Sequence, residues 1–182
     1  MIKMSHFLTG ERIYLRPHEE EDINLFEKWF NDPEYRVLAG YPLPQNKDEL
    51  KRFFEEMCKD EKGVYLGICL QENDRLIGSV SLFGIDRISR SVEFGIGIGE
   101  KDCWGKGYGT EAINLILDYC FDTLNMHRVW LRVRDYNQRA IRCYERAGFK
   151  REGILRESLY INGAYHDQVC MSLLKKEWLG RG

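Results

Sequence analysis

Residues 94–112 read FGIGIGEKDCWGKGYGTEA, and six of the chain's 17 glycines fall between Gly95 and Gly109. Glycine in a strand packs nothing and costs backbone entropy, so a run this dense implies that something must come close to the backbone. The first half alternates glycine with isoleucine, as a strand would, and the second half opens a helix at Thr110. A helix N-terminus leaves backbone N–H groups unpaired at the positive end of the dipole. Glycines there remove the Cβ atoms that would hold a pyrophosphate away, which makes the turn a cradle for an anion. The competing reading of the same residues is a flexible, glycine-rich turn.

Two familiar phosphate motifs are excluded by spacing. A P-loop needs glycine five residues before the Gly-Lys pair and Ser or Thr after it. Before Gly105-Lys106 that place holds Glu100, and Gly107 follows the pair. A dinucleotide fingerprint, GxGxxG, fails from Gly95, Gly97 and Gly105, where the last places hold Glu100, Asp102 and Thr110. A Rossmann-type oxidoreductase is set aside on that ground.

The elements around the run come from periodicity and punctuation. Strands are expected at 11–16, 64–71, 76–83, 91–98, 129–133, 154–161 and 164–174, and helices at 19–31, 47–59, 110–124 and 138–147. The acids of EEED at 19–22 suit a helix start. Pro42-Leu43-Pro44 reads as a loop, Asn162-Gly163 as a hairpin turn, and Gly148 as a helix stop. A strand–helix–strand unit in the middle implies one parallel pair, while flanking hairpins imply antiparallel pairing. The expected architecture is α+β: a mixed, mostly antiparallel sheet of about seven strands flanked by helices, in one domain over 1–182.

The formal net charge of −2 gives no reason to expect a nucleic-acid partner, though it permits a local basic patch. The six cysteines form no CxxC pair and read as reduced thiols, with neither a zinc site nor a disulfide framework. No run approaches the length of a membrane span and no N-terminal apolar stretch resembles a signal peptide, so a cytoplasmic location is expected.

Trp104-Gly105-Lys106-Gly107-Tyr108-Gly109-Thr110 resembles motif A of the GNAT acetyltransferases, Gln/Arg-x-x-Gly-x-Gly/Ala, with Gly107 and Gly109 in the glycine places. Trp104 departs from the general consensus but is similar to the ribosomal-protein N-acetyltransferase branch. Residues 137–149, NQRAIRCYERAGF, resemble the second signature, Asn-x-x-Ala-x-x-x-Tyr-x-x-x-Gly-Phe. The C-terminal YINGAYHDQVCMSLLKKEW is similar to that branch and to spermidine acetyltransferases. The resemblance extends over about residues 10–178.

The resemblance implies a GNAT fold with an acetyl-CoA site in the splay of the parallel pair. The amides of Gly105, Lys106, Gly107, Tyr108, Gly109 and Thr110 would hold the pyrophosphate, with Trp104 beside them. Backbone groups of Ile96, Gly97 and Ile98 would face the pantetheine arm. Asn137 would contact the cofactor, and Tyr144 would stand near its sulfur as the acid that protonates the departing thiolate. Read without the motif, Tyr144 is a core aromatic. Glu93 in SVEFGI is the candidate base, acting directly or through water, or else an anchor for the ammonium or an exposed strand residue. The reaction implied is direct attack by a primary amine on the thioester in a ternary complex, and no metal is required. An alkylamine with a pKa of about 10.4 must first lose a proton.

A protein or peptide N-terminal amine is the first candidate acceptor, from the resemblance to the ribosomal-protein branch. A polyamine is second, disfavoured by the few acids in LAGYPLPQNKDEL, and an amino acid or antibiotic amine is also open. The alternative of another class is a catalytically silent acetyl-CoA-binding module. The oligomeric state is left undetermined.

Overall fold

The computed structural model describes residues 6–40 and 43–180. Its elements are β1 (Leu8–Thr9), β2 (Ile13–Pro17), α1 (Ile23–Asn31), α2 (Pro33–Ala39), α3 (Lys47–Lys59), β3 (Val64–Leu70), β4 (Leu76–Asp86) and β5 (Ser91–Ile98). There follow α4 (Tyr108–Asp118), β6 (Arg128–Arg134), α5 (Gln138–Arg146), β7 (Lys150–Ile161), β8 (Ala164–Leu174) and α6 (Lys175–Leu179). The strands form one eight-stranded sheet in the order β1-β2-β3-β4-β5-β6-β8-β7. Among the described residues only β5 and β6 pair in parallel.

The mixed α+β architecture is the expected one. The eighth strand is the two-residue β1, too short to show alternation. The seven-residue α2 was also missed, although its punctuation is present. Asp32 caps it by accepting from the amides of Glu34 and Tyr35 at 3.0 and 2.9 Å, Pro33 opens it and Gly40 closes it. The expected helix start at EEED is a 3-10 turn, Glu20–Asp22, that runs directly into α1. Asp22 accepts the Glu19 amide at 2.9 Å and also turns inward to a buried ion pair with Arg16. Of the expected Pro42-Leu43-Pro44 loop, Pro42 lies outside the described residues.

Strand alternation gives the sheet two distinct faces. On one, Val92, Phe94, Leu131 and Val133 pack beneath α4 and α5, joining Ile113, Ile116 and Ile141 in the larger core. On the other, α1, α2 and α3 bring Phe26, Trp29, Phe30, Tyr35, Leu50 and Phe54 into a second, smaller core. Here the glycines of β5 find an explanation that differs from the expected one. A Cβ on Gly97 would sit 2.4 Å from the Tyr35 hydroxyl, and one on Gly99 would sit 2.0 Å from the Trp29 ring. The missing side chains let α1 and α2 close on the sheet. They point away from the strand edge that a pantetheine arm would use.

Pairing between β5 and β6 runs only from Ser91↔Arg128 to Glu93↔Trp130. Beyond it, β5 continues to Ile98 against β4 alone, and β6 continues to Arg134 against β8 alone. The sheet therefore opens into a gap at its centre. The site forms there.

Candidate active site

A cavity of about 1130 Å³ occupies the gap and reaches both faces of the sheet. That exceeds the roughly 300–1,000 Å³ of a single small-molecule pocket, leaving room for two substrates. Its lining includes Glu93, Ile96, Gly97, Ile98, Trp104, Gly105, Gly107, Tyr108, Gly109, Thr110, Asn137 and Tyr144. Lys106 is the one expected site residue outside that lining.

On the α4 side, Gly105 and Gly107 adopt left-handed backbone with φ of +73° and +87°. Positive φ beside an ordinary helical turn brings successive N–H groups into a concave nest, an anion-binding shape. Because the first intrahelical bond of α4 runs from Glu111 N–H to Gly107 C=O, the amides of Tyr108, Gly109 and Thr110 are left to the cavity. The loop is clasped from outside by Arg12, a residue that local sequence patterns do not reveal. Its Nη1 donates to the Lys106 carbonyl at 2.9 Å, its Nε donates to Glu111 Oε2 at 3.0 Å, and its guanidinium lies 5.0 Å from the centre of the Tyr108 ring. Glu111 Oε1 also accepts the Arg12 and Ile13 amides. Burial raises the Glu111 pKa, but those bonds outweigh it and hold the carboxylate below its ordinary range. Lys106 thus contributes its carbonyl to the loop's support.

Trp104 folds back so that its Nε1 donates to the Ile98 carbonyl at 2.7 Å, and Arg139 stacks on its other side at 4.2 Å from the ring centre. The indole therefore occupies one of the backbone groups expected to meet pantetheine. Alternation leaves the N–H and C=O of Ile96 facing the gap, since Gly97 faces β4 across from Ser79. Arg139, on the first turn of α5, adds positive charge where a phosphate would lie. A chain with net charge −2 thus concentrates Arg12 and Arg139 around the nest.

Asn137 is the N-cap of α5, its Oδ1 accepting from the Ala140 amide at 3.2 Å. Tyr144, one face further along the helix, packs edge-on against Phe94 and Phe149 at ring separations of 6.2 and 5.8 Å. Burial pushes its phenol pKa well above the usual value, which keeps the hydroxyl protonated at neutral pH. Glu93, on the opposite face of β5, is held by Arg132. Both Arg132 Nη2 and Nε donate to Oε1, at 2.9 and 3.1 Å, and Glu93 lines the cavity.

A sheet split at its one parallel pair, with an anion nest on one lip and a buried tyrosine on the other, is matched by known proteins. Residues 12–150 match the acetyltransferase (GNAT) domain. The chain belongs to the GNAT family. It is 35% identical over 159 residues to the spermidine N(1)-acetyltransferase of Vibrio cholerae, covering 87% of this chain and 84% of that protein. It is 37% identical over 177 residues to a Bacillus subtilis protein named "Putative ribosomal N-acetyltransferase YdaF", covering 94% and 96%. Among solved structures, the Vibrio cholerae spermidine N-acetyltransferase in complex with CoA and spermine superposes with a TM-score of 0.87, at 32% identity over 94% of this chain and 100% of that one. This GNAT chain is an acyl-CoA-dependent N-acetyltransferase, and acetyl-CoA is its acetyl donor.

The side of the gap opposite the nest is built from α1, α2, α3 and the face of β3, β4 and β5 beneath them. The ends of α2 are tied to β6: Arg134 Nη2 donates to the Ala39 carbonyl at 2.7 Å, and the Tyr136 hydroxyl donates to the Val37 carbonyl at 2.8 Å. No helix among the described residues is long and apolar enough to cross a membrane.

Proposed function

We propose that this GNAT enzyme acetylates a peptide or protein N-terminal amine by direct attack on acetyl-CoA. The observation that carries this reading is the charge of the acceptor side. Among the described residues three carboxylates line the cavity, Glu11, Glu93 and Glu111. Glu111 is tied to Arg12 beside the nest, and Glu11 neighbours that arginine in sequence. Glu93, on the face beneath α1 and α2, is already held by Arg132. On that face a polyamine with three or four positive charges would meet one carboxylate and two arginines, Arg132 and Arg134, with nothing to balance its remaining charges.

An N-terminal amine suits such a site. Its pKa of about 7.7–8.0 leaves an appreciable uncharged fraction at neutral pH, so no strong base is needed. In this reading the nest from Gly105 to Thr110 holds the pyrophosphate, and Ile96 offers its edge groups to the pantetheine. Asn137 supports that arm while capping α5. Glu93 Oε2 accepts from the incoming amine, orienting its lone pair at the thioester carbonyl carbon. As the C–N bond forms, the carbonyl oxygen becomes an oxyanion facing the Ile96 N–H. The C–S bond then breaks, Tyr144 gives its proton to the departing thiolate, and the amine's proton leaves through Glu93 or water. Both faces of one sheet contribute, so the chain acts as a single domain. Six free thiols accord with a cytoplasmic location.

Spermidine is the second reading, carried by the spermidine acetyltransferases among the similar proteins. Acetyl-CoA-dependent CoA release, read by mass spectrometry against N-terminal peptides and polyamines in parallel, separates the two. Acetylated peptide is expected, and turnover confined to spermidine or spermine would replace the first reading with the second.

A further inference from the structure

Relying on that peptide-amine reading, we infer that the residue bearing the reactive amine carries an aryl or branched alkyl side chain. The inference starts from Phe83, which stands directly opposite Glu93 in the β4–β5 register. Side chains opposite each other across a strand pair lie about 4.5–5.5 Å apart. An amine held at Glu93 therefore places its own side chain, one or two bonds away, against Phe83.

What surrounds that spot is apolar and unfilled. Phe83 is 40% exposed although it lines the cavity, and Phe53, from α3, is 41% exposed and lines it too. Tyr65 stands edge-on to Phe83 at 5.7 Å, and its hydroxyl is already spent on Asp60 Oδ2 at 2.7 Å. Only its ring is offered to the cavity. The floor between these walls is Ser81 and Gly95, paired across the strands. A Cβ on Gly95 would meet only the Phe83 ring, at 3.1 Å, and nothing else within 4 Å. A flat floor with three aromatic walls holds a ring or a branched chain. Once the reactive amine takes Glu93, none of these residues offers a lysine or a second ammonium a charged partner. An apolar side chain seated there would cover Phe83 and Phe53 and remove their apolar surface from water.

The test uses the full-length enzyme, acetyl-CoA and peptides that differ only in their first residue: Phe, Leu, Ser or Lys, with spermidine alongside. The Phe and Leu peptides should exceed the Ser and Lys peptides in kcat/KM by roughly tenfold or more. Phe83→Ala should bring that ratio toward one, and Phe53→Ala, on an exposed helix position, should do so by a smaller factor. Comparable rates for all four peptides, or a preference for Ser or Lys, would overturn the inference while leaving the peptide-amine reading intact. Turnover of spermidine with none of the peptides would overturn both.

Discussion

The two faces of β5 are built on opposite logic. Beneath α4 and α5 the strand offers Val92 and Phe94 to a continuous apolar core, and the nest and Tyr144 stand on that rigid support. Toward α1 and α2 it offers Glu93, Gly95 and Gly97. Tyr35 covers Gly97, Trp29 covers Gly99 just past the strand, and a buried charge pair anchors the root of that half. In the proposed reading, one face would position the donor by backbone and dipole, which any acyl-CoA can share. The other would shape a chamber with side chains, where a choice among acceptors can be made. The difference implies that the two halves can be damaged separately.

The largest separate effect is expected at the root of the acceptor half. Arg16 Nη1 and Nη2 donate to the two Asp22 oxygens at 2.8 Å each, both residues are buried, and His18 Nδ1 lies 3.4 Å from the same carboxylate. Removing one partner of a buried pair leaves the other charge uncompensated, so Asp22→Ala should destabilise the fold by about 3–5 kcal/mol. Urea or guanidinium unfolding measures it, and a loss under 1 kcal/mol would mean that the pair does not anchor this half. The pH dependence follows in sign. Burial raises the Asp22 pKa, but the bonds from Arg16 and the Glu19 amide outweigh it and hold the folded-state value well below the ordinary one. A depressed carboxylate contributes stability that is complete above its unfolded pKa of about 3.9 and is lost as pH falls through the folded value. The native protein should lose stability steeply below about pH 4, and the Asp22→Ala protein less steeply.

On the donor half the largest effect is kinetic. Tyr144→Phe keeps the ring that packs on Phe94 and Phe149 and removes only the hydroxyl. Turnover should fall roughly 10²-fold or more, with acetyl-CoA affinity and thermal stability nearly unchanged. Single-turnover rates that match the parent enzyme would take the acid role from Tyr144 and leave it a core aromatic.

Much of the donor half was legible in the sequence, because its parts are local. The nest is a contiguous run, the cap at Asn137 precedes its own helix, and the strand at 91–98 has the expected bounds. What sequence reasoning missed is long-range. Arg12 clasps the glycine loop from 94 positions away, and Arg134 and Tyr136 reach the last carbonyls of α2 from 95 and 99 positions away. Such contacts leave no periodicity. Alternation did reveal that Gly95, Gly97 and Gly99 share a face. It does not say what covers that face: Tyr35 lies over Gly97 and Trp29 over Gly99, while Gly95 has only the Phe83 ring beside it. The acceptor chamber was opaque for the same reason, since its walls come from α1, α3, β3 and β4, distant in sequence.

Two glycine substitutions sharpen the comparison most directly, with the smallest expected effects. A Cβ at Gly99 would penetrate the ring of Trp29, which is 1% exposed and has nowhere to move. Gly99→Ala should therefore cost about 1–3 kcal/mol of stability by overpacking, with acetyl-CoA affinity retained in the folded protein. Gly107 meets a different limit, because its φ of +87° is one that a β-branched residue rarely adopts and because its N–H belongs to the nest. Gly107→Val should weaken acetyl-CoA binding by roughly tenfold, a cost within the 1–3 kcal/mol of a strained backbone residue. Calorimetry of acetyl-CoA binding on both variants tells the faces apart. If Gly99→Ala lost affinity as Gly107→Val does, the alternating glycines would serve the donor after all, and the two faces would be one site.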